Sequence, residues 1–189
     1  MTAQAAAKQT PTITNGVNVT ALFDTIAAVK ADPKLAHFNF RAKNRWQTGD
    51  KNCTTIKVTG ASQEHRKDAE PFVFWNGEHP VLLGEDKAPN PVEWLLHALI
   101  GCMTTTLAYH AASRGIAIES IESSIDGDID LRGFLGLSDK VRKGYSSIRV
   151  NMRVKSTGSP TALTALAKLS PVFDVVSKSV PVDVTITTC

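Results

Sequence analysis

The sequence predicts an α+β fold, in which strands lie both before and after one long central helix. Three observations support this prediction. A long apolar helix is expected between about residues 90 and 115, and strand-like segments lie both before and after it. The segment 147–155 alternates apolar with basic or polar residues, as a half-exposed antiparallel strand does. Strands, one long helix, further strands and two short helices in this order favour α+β over an alternating α/β fold.

Length and composition indicate one globular domain, 36–189, preceded by an extension, 1–35. The chain has 189 residues, of which 42% are hydrophobic, and it shows no internal repeat. A net charge of +3 with few aromatic residues argues against a nucleic-acid-binding protein. The three cysteines form no CxxC pair, so neither a disulfide scaffold, a metal site nor another cofactor is expected. No secretory signal is visible at the start, and a cytoplasmic protein is therefore expected.

The N-terminal extension is predicted to contain one short amphipathic helix. Residues 1–17 are rich in Ala, Thr and Gln and are expected to be frayed or disordered. The segment 18–33 has the helical pattern, with Leu22, Ile26 and Val29 on its apolar side and a proline closing it. These three side chains need an apolar partner, so we expect the helix to pack on the body of the protein.

Three strands are predicted before the central helix. Large apolar and polar residues alternate over 36–46, and a Thr-Gly-Asp turn follows at 48–50. The segment 53–61 then completes a hairpin with the first strand. The sequence PFVFW, residues 71–75, reads as the third strand.

The central helix carries clear signals at both ends. Asn90 is a favourable N-cap, Pro91 suits the first helical position, and Glu93 can complete a capping box. Gly115 is the expected stop signal. Between these ends almost no polar face exists, so the helix is expected to be buried on all sides. A histidine and three consecutive threonines interrupt the roughly 20-residue apolar span that a bilayer requires, which argues against a membrane segment.

The remaining elements follow in a regular order. The segment 116–131 reads as a strand whose apolar alternation slips between Ile118 and Ile121, which indicates a bulge. A glycine-punctuated loop covers 132–145 and leads into the alternating strand. Ser-Pro pairs at 159–160 and 170–171 each predict the start of a short helix, and a final strand closes the chain.

Cys102, near the middle of the central helix, is the residue that combines chemical reactivity with a fixed scaffold. A thiol becomes a nucleophile when a cation, a helix N-terminus or a hydrogen-bond donor stabilises its thiolate. Cys102 lies three turns into its helix, so the stabilising group must come from elsewhere in the fold. A free cysteine among apolar residues is also commonly an inert core residue, and Glu93 is commonly a simple cap.

The sequence resembles the osmotically inducible protein C and organic hydroperoxide resistance (OsmC/Ohr) family over about residues 36–187. Four segments carry the resemblance and are specific in combination: NPVEWLLHALIGC, AASRGI, GDIDLRGFLGL and SPVFDVVSKSVPV. The resemblance implies an intertwined homodimer of two curved sheets around paired central helices.

The resemblance also implies a thiol-dependent reaction. Family peroxidases use one cysteine of this helix to attack a hydroperoxide, which leaves a sulfenic acid. A second cysteine, in a Cys-Pro-Val motif, resolves the sulfenic acid as a disulfide, and an external dithiol reduces that disulfide. By this resemblance Cys102 occupies the attacking position. Ser170 occupies the resolving position, and since a hydroxyl cannot form a disulfide, we expect it to serve as a helix N-cap.

The charged groups of the family site are displaced in this sequence. The activating carboxylate of the family directly follows the helix-start proline, where this chain has Val92. Glu93 comes one residue later, a rotation of about 100° around the helix. The activating arginine of the family lies near the first hairpin turn. Here Lys51 is the cation nearest that turn, and Arg45 lies a few residues before it.

Two functions follow as hypotheses. The first is a hydroperoxide reductase with Cys102 as the attacking thiol and Glu93, Lys51 and Arg45 as charged partners across the dimer. Its resolving thiol would be Cys53, Cys189 or that of an external dithiol. The second is a non-catalytic family member that binds a small apolar ligand or senses oxidants through the same cysteine. Neither hypothesis involves nucleic acid or a membrane.

Overall fold

The long helix α2, Pro91–Ala112, joins two separate groups of strands in the computed structural model. The structure describes residues 11–57, 59–60, 64–65 and 68–189, so the prediction for residues 1–10 lies outside the described residues. The elements before α2 are β1 Ile13–Thr14, β2 Val17–Asn18, α1 Val19–Ala31, β3 Asn39–Phe40, β4 Lys43–Thr48, β5 Lys51–Ile56, β6 Thr59–Gly60, β7 Glu64–His65 and β8 Phe72–Asn76. Those after it are β9 Ile118–Asp128, α3 Leu131–Phe134, β10 Ser147–Ser156, α4 Pro160–Ala167, α5 Pro171–Ser177 and β11 Val182–Thr188.

The C-terminal sheet has the strand order β11-β10-β9. Strand β10 is antiparallel to β9, as predicted, but parallel to β11. The parallel pair arises because α4 and α5 lie between β10 and β11 in the chain, and such a crossover returns the strand in the same direction. The predicted bulge in β9 is confirmed, since the register shifts between Lys155 and Ser156 opposite the start of that strand.

The hydrophobic core lies between this sheet and α2, α4 and α5. The inward residues of β10 alternate as predicted, and all are 2% exposed or less: Ile148, Val150, Met152 and Val154. Leu99, Met103 and Leu107 of α2 are wholly buried against them. Burial of each such side chain contributes roughly 1.5–3 kcal/mol, so this face of α2 fixes the helix on the sheet.

The N-terminal sheet has the strand order β4-β5-β8. The predicted hairpin is confirmed, with Arg45 paired to Cys53 across β4 and β5, and the third predicted strand is β8. The prediction of one strand over 36–46 is wrong. Residues 39–40 form β3, which pairs with β6, whereas β4 begins at Lys43 and pairs with β5. The chain therefore changes sheets between these two short strands.

The prediction that residues up to 17 are frayed is also wrong for the described part, 11–17. β1 and β2 form a hairpin around Asn15 and Gly16, whose φ angles of 52° and 73° suit a two-residue type I′ turn. The Asn15 side chain donates to the backbone oxygen of Ile116 at 3.0 Å and accepts from the N–H of Ile118 at 2.8 Å. The extension is thereby attached to the segment that follows α2. Helix α1 then begins as predicted, with Asn18 as its N-cap.

Helix α2 has the predicted ends, including the full capping box of Asn90 and Glu93. The prediction that it is buried on all sides is wrong for a single protomer. Elements of the same chain cover one face, and the opposite face is exposed at Ala98, Gly101, Thr105 and Tyr109. Among the described residues, no helix has both the length and the apolar character needed to cross a membrane.

A candidate thiol site on the central helix

Cys102 lies beside the exposed face of α2 and is itself half-buried. Its neighbours Gly101 and Thr105 belong to that exposed face, whereas Met103 points into the core. Within the described part of the chain, no hydrogen bond or ion pair reaches the Cys102 thiol. Any group that stabilises its thiolate must therefore approach from the exposed side of the helix.

Ser170 is confirmed as a helix N-cap. Its side chain is wholly buried, and its Oγ accepts a hydrogen bond from the backbone N–H of Phe173 at 3.1 Å. Helix α5, which Ser170 caps, packs directly against α2. Ser170 is therefore a structural hydroxyl close to the central helix.

Glu93 is engaged at the start of α2. Its Oε2 accepts from the backbone N–H of Asn90 at 2.8 Å, and the Asn90 side chain accepts in return from the N–H of Val92 at 2.7 Å. The other carboxylate oxygen of Glu93 lies 3.9 Å from Nε2 of His79. The carboxylate thus holds the cap with one oxygen and keeps the second one exposed.

Further polar groups fix the loop before α2 and were not identified from the sequence. The amide of Asn90 donates to Glu78 at 2.5 Å, and Glu78 in turn donates its backbone N–H to Asp50 at 3.0 Å. Burial, followed by the charge of Asp50, raises the pKa of the Glu78 carboxyl. This network positions the first turn of α2 relative to the β4–β5 hairpin.

Tyr145 is a second group that the sequence did not reveal. Its hydroxyl donates to the backbone oxygen of Val92 at 2.9 Å, so the entry to β10 is tied to the first turn of α2. Burial, followed by the charge of Glu93, raises the pKa of the Tyr145 hydroxyl. A single tyrosine after a glycine-rich loop carries no pattern that predicts such a contact.

Lys51 is held in an ion pair on the loop side of the hairpin. Its Nζ lies 2.7 Å from Oε1 of Glu85, and the other oxygen of Glu85 lies 2.7 Å from Lys87. Hydrogen bonds from Lys51 and then Lys87 lower the pKa of Glu85 to about 2. The charge of Lys51 is therefore largely compensated within its own protomer.

Arg45 lies in the middle of β4, directly opposite Cys53. Cys53 is paired on its other side with Trp75 of β8. Since side chains alternate along a strand, these residues share one face of the N-terminal sheet, and Phe74 lies on the other. Phe74 is the residue that contacts Trp94 of α2, with ring centroids 5.4 Å apart. Arg45 and Cys53 thus face away from the helix of their own protomer, as does Lys51 by the same alternation.

The structure therefore separates the four predicted site residues within one protomer. Cys102 lies at mid-helix, Glu93 at the helix start, and Lys51 and Arg45 on the distant face of the hairpin. Of the two candidate resolving thiols, Cys53 lies beside Arg45, and Cys189 is exposed with its backbone N–H donating to Val154 at 3.3 Å. All three cysteines are free thiols.

A single protomer exposes several large apolar side chains on α2 and on the N-terminal strands. Phe40 is 77% exposed and Trp46 is 68% exposed, and Leu95 and Tyr109 of α2 are also exposed. Exposed apolar surface of this extent commonly marks an interface with another protein chain.

Comparison with known proteins agrees with this architecture. A family model described as OsmC-like protein matches residues 84–185. An OsmC-like protein from Mycoplasma pneumoniae superimposes with a TM-score of 0.59 at 15% identity, covering 79% of this chain and 96% of that one. An organic hydroperoxide resistance protein from Elizabethkingia anophelis superimposes with a TM-score of 0.55 at 13% identity, covering 80% of this chain and 96% of that one. An organic hydroperoxide resistance protein from Legionella pneumophila superimposes with a TM-score of 0.53 at 17% identity, covering 79% of this chain and 96% of that one. No curated protein matched the sequence.

Proposed function

The chain belongs to the OsmC-like protein family, and on that basis we propose that it is a homodimeric, thiol-dependent hydroperoxide reductase. Cys102 is the attacking thiol in this proposal. The observation that carries it is the position of Cys102 beside the exposed face of α2, without a partner among the described residues of its own chain. A thiol at such a place is accessible to a small substrate and to groups from a second copy.

The reaction proceeds in three balanced steps. In the first, the Cys102 thiolate attacks the terminal oxygen of an organic hydroperoxide, the O–O bond breaks, and the leaving alkoxide takes a proton to become an alcohol. The sulfur is oxidised to a sulfenic acid. In the second, a thiol condenses with the sulfenic acid, which releases water and forms a disulfide. A further thiol then reduces that disulfide and regenerates Cys102.

An external dithiol is the resolving and reducing agent in this proposal. Ser170, at the place of the family's resolving cysteine, is a buried hydroxyl that is held as an N-cap. Cys53 faces away from α2, and the backbone of Cys189 is hydrogen-bonded to β10, so neither thiol is placed beside Cys102 within a protomer. A cytoplasmic dithiol would supply both reducing equivalents without a second cysteine of this chain.

A second copy of the chain completes the site. The exposed face of α2 and the exposed apolar residues of the N-terminal strands offer the surface for a dimer formed by domain 36–189. Across that interface the partner's hairpin turn would bring Lys51, and the partner's helix start would bring Glu93, towards Cys102. We assign this role to Lys51 because it lies at the turn, whereas Arg45 lies in mid-strand beside Cys53, on the face that points away from α2.

A second function is favoured by one specific observation, the absence of a charged partner for Cys102 among the described residues of its protomer. If the dimer also leaves that thiol without a cation, the same surface of α2 would bind a small apolar ligand, or Cys102 would report oxidants without turnover. This alternative retains the dimer and the location of the site. It differs from the enzyme in predicting a single oxidation event for each thiol.

Consumption of an organic hydroperoxide tests the proposal. Cumene hydroperoxide and dihydrolipoamide would be incubated with the wild type and with Cys102→Ser, Cys53→Ser and Cys189→Ser. We expect multiple turnovers by the wild type, loss of turnover in Cys102→Ser, and near wild-type rates in the other two variants. Equal rates in the wild type and in Cys102→Ser would contradict the enzyme. One equivalent consumed per Cys102, without further turnover, would favour the sensing alternative.

A further inference from the structure

A groove of about 430 Å³ lies on the face of the N-terminal sheet that points away from α2. Its volume falls within the range of small-molecule sites. Side chains of all three strands line it, chiefly Lys43, Arg45, Gln47, Cys53, Thr55 and Trp75. It is therefore distinct from the surface beside Cys102.

The groove is positively charged, and no residue that the structure describes supplies it with a compensating carboxylate. Lys43 and Arg45 belong to its lining, which includes no acidic residue, and neither side chain forms an ion pair with a described residue. The cations of the adjacent loop behave differently, since Lys51 and Lys87 are both paired with Glu85. Two uncompensated cations at one concave surface attract anionic ligands.

The thiol of Cys53 lies at the centre of this groove. The strand register places Cys53 between Arg45 on one side and Trp75 on the other. Cys53 is half-buried and belongs to the lining of the groove. Trp75 is 48% exposed and supplies an apolar wall against which the non-polar part of a ligand can pack.

We propose that this groove binds anionic low-molecular-weight disulfides and that Cys53 forms a mixed disulfide with them. Lys43 and Arg45 attract the carboxylates of the ligand, and Trp75 packs against its body. The Cys53 thiolate attacks one sulfur of the bound disulfide, the ligand's S–S bond breaks, and the other half leaves as a thiolate. Cys53 is oxidised and the ligand is reduced by the same two electrons, so no further reagent is needed.

This modification site does not depend on the proposed peroxidase function. The groove lies on the opposite face of the sheet from Phe74 and α2, and the reaction involves Cys53 alone. Loss of peroxide turnover would leave it unaffected. Conversely, failure of Cys53 to react would leave the role of Cys102 untouched.

Oxidised glutathione is the probe that tests the proposal, applied to the full chain carrying Cys102→Ser and Cys189→Ser. The rate of mixed-disulfide formation at Cys53 would be followed by intact mass and peptide mapping. The neutral 2-hydroxyethyl disulfide, at the same concentration, reports the intrinsic reactivity of the thiol. We expect the oxidised glutathione rate to fall about tenfold when Lys43→Gln and Arg45→Gln are combined, while the neutral rate changes little.

Matched variants separate local charge from net charge. Lys30→Gln with Lys34→Gln removes the same two charges from helix α1 and the turn after it, and we expect both rates to stay at the wild-type level. Arg45→Lys retains the positive charge, so it should restore most of the oxidised glutathione rate. Raising the salt to 1 M, where the Debye length is about 3 Å, should slow only the anionic disulfide.

Two results would overturn the proposal. One is a Cys53 thiol that oxidised glutathione leaves unmodified while the neutral disulfide reacts with it. The other is an oxidised glutathione rate that is insensitive to salt and to charge removal at 43 and 45. The salt dependence is measured with both lysine and arginine in place, so it decides the question even where a substitution impairs folding.

Discussion

The backbone N–H of Phe173 donates a hydrogen bond to the hydroxyl oxygen of Ser170 at 3.1 Å, and the Ser170 side chain is wholly buried. Under the proposed function, this position corresponds to that of the family's resolving cysteine. Here the position closes the first turn of α5 against α2 instead. The proposed attacking thiol thus lies on the central helix, while Ser170 serves the stability of the fold.

Replacement of Ser170 by alanine should lower the stability of the protein. Ser170→Ala removes the cap acceptor and leaves the partly buried N–H of Phe173 without its partner, so the free energy of unfolding should fall by about 1–2 kcal/mol. Urea unfolding measures this difference. Ser159→Ala is the matched control, because Ser159 caps α4 in an exposed position and its loss should cost less. Equal losses in the two variants would contradict the importance of burial.

Introduction of a thiol at position 170 should change how the oxidised protein is resolved. Since α5 packs against α2, Ser170→Cys places a thiol next to the helix that carries Cys102. After one equivalent of cumene hydroperoxide, we expect a disulfide between Cys102 and position 170, detected by non-reducing peptide mapping. The same variant carrying Cys102→Ser should form no such bond. A free thiol at 170 beside an oxidised Cys102 would refute the proximity.

Substitution at Gly101 should separate the copies of a dimer. Apart from the nearby atoms of α2 itself, no atom of the described residues lies within 4 Å of a Cβ added at Gly101, so Gly101→Glu is compatible with the isolated fold. A charged side chain on the exposed face of α2 would oppose packing of a second copy there. Analytical ultracentrifugation should show a dimer for the wild type and a monomer for the variant, with unchanged helical circular dichroism.

Gly144→Glu is the control for that experiment, since an added Cβ there also meets nothing within 4 Å and Gly144 lies outside α2. It should remain dimeric. If the Gly101→Glu protein also sediments as a dimer, the interface lies elsewhere. That result would remove the premise that a partner completes the site.

Acid should remove a contribution of Glu85 to stability. Its pKa is lowered from 4.5 to about 2 by Lys51 and Lys87. Because the folded pKa lies below the unfolded one, this contribution is present above pH 4.5 and is lost as the pH falls towards 2. Urea unfolding between pH 6 and pH 3 should therefore show a smaller loss for Glu85→Gln than for the wild type. Glu70→Gln, at an exposed carboxylate, should behave as the wild type does.

The parts of the fold that depend on nearby residues were predictable from the sequence. A helix cap uses groups within three positions, so Asn90, Glu93 and Ser170 could each be assigned from their neighbours. The alternation of β10 was equally local, and it correctly identified the core residues from Ile148 to Val154.

Contacts between distant parts of the chain could not be predicted in this way. The Asn-Gly pair of the β1–β2 hairpin is a local turn signal. Each strand beside it has only two residues, and the surrounding composition is typical of a disordered segment. The anchoring of Asn15 to Ile116 and Ile118 spans about a hundred residues, and no local pattern encodes it.

The candidate site shows the same limit. The apolar character of α2 indicates that the helix is covered on all sides, but not which chain covers it. The hairpin register pairs Arg45 with Cys53 and so puts them on one face of the sheet. Whether that face points towards α2 or away from it depends on the contact between Phe74 of β8 and Trp94 of α2. As a result, Lys51 and Arg45 lie away from Cys102 within a protomer.

The identity of the first oxidised sulfur tests the central claim most directly. The wild type would be treated with less than one equivalent of cumene hydroperoxide in the presence of dimedone, which traps sulfenic acids, and each cysteine would then be quantified by peptide mass spectrometry. The account predicts that Cys102 carries nearly all of the label while Cys53 and Cys189 remain reduced. Label on Cys53 or Cys189 in equal or greater amount than on Cys102 would contradict it.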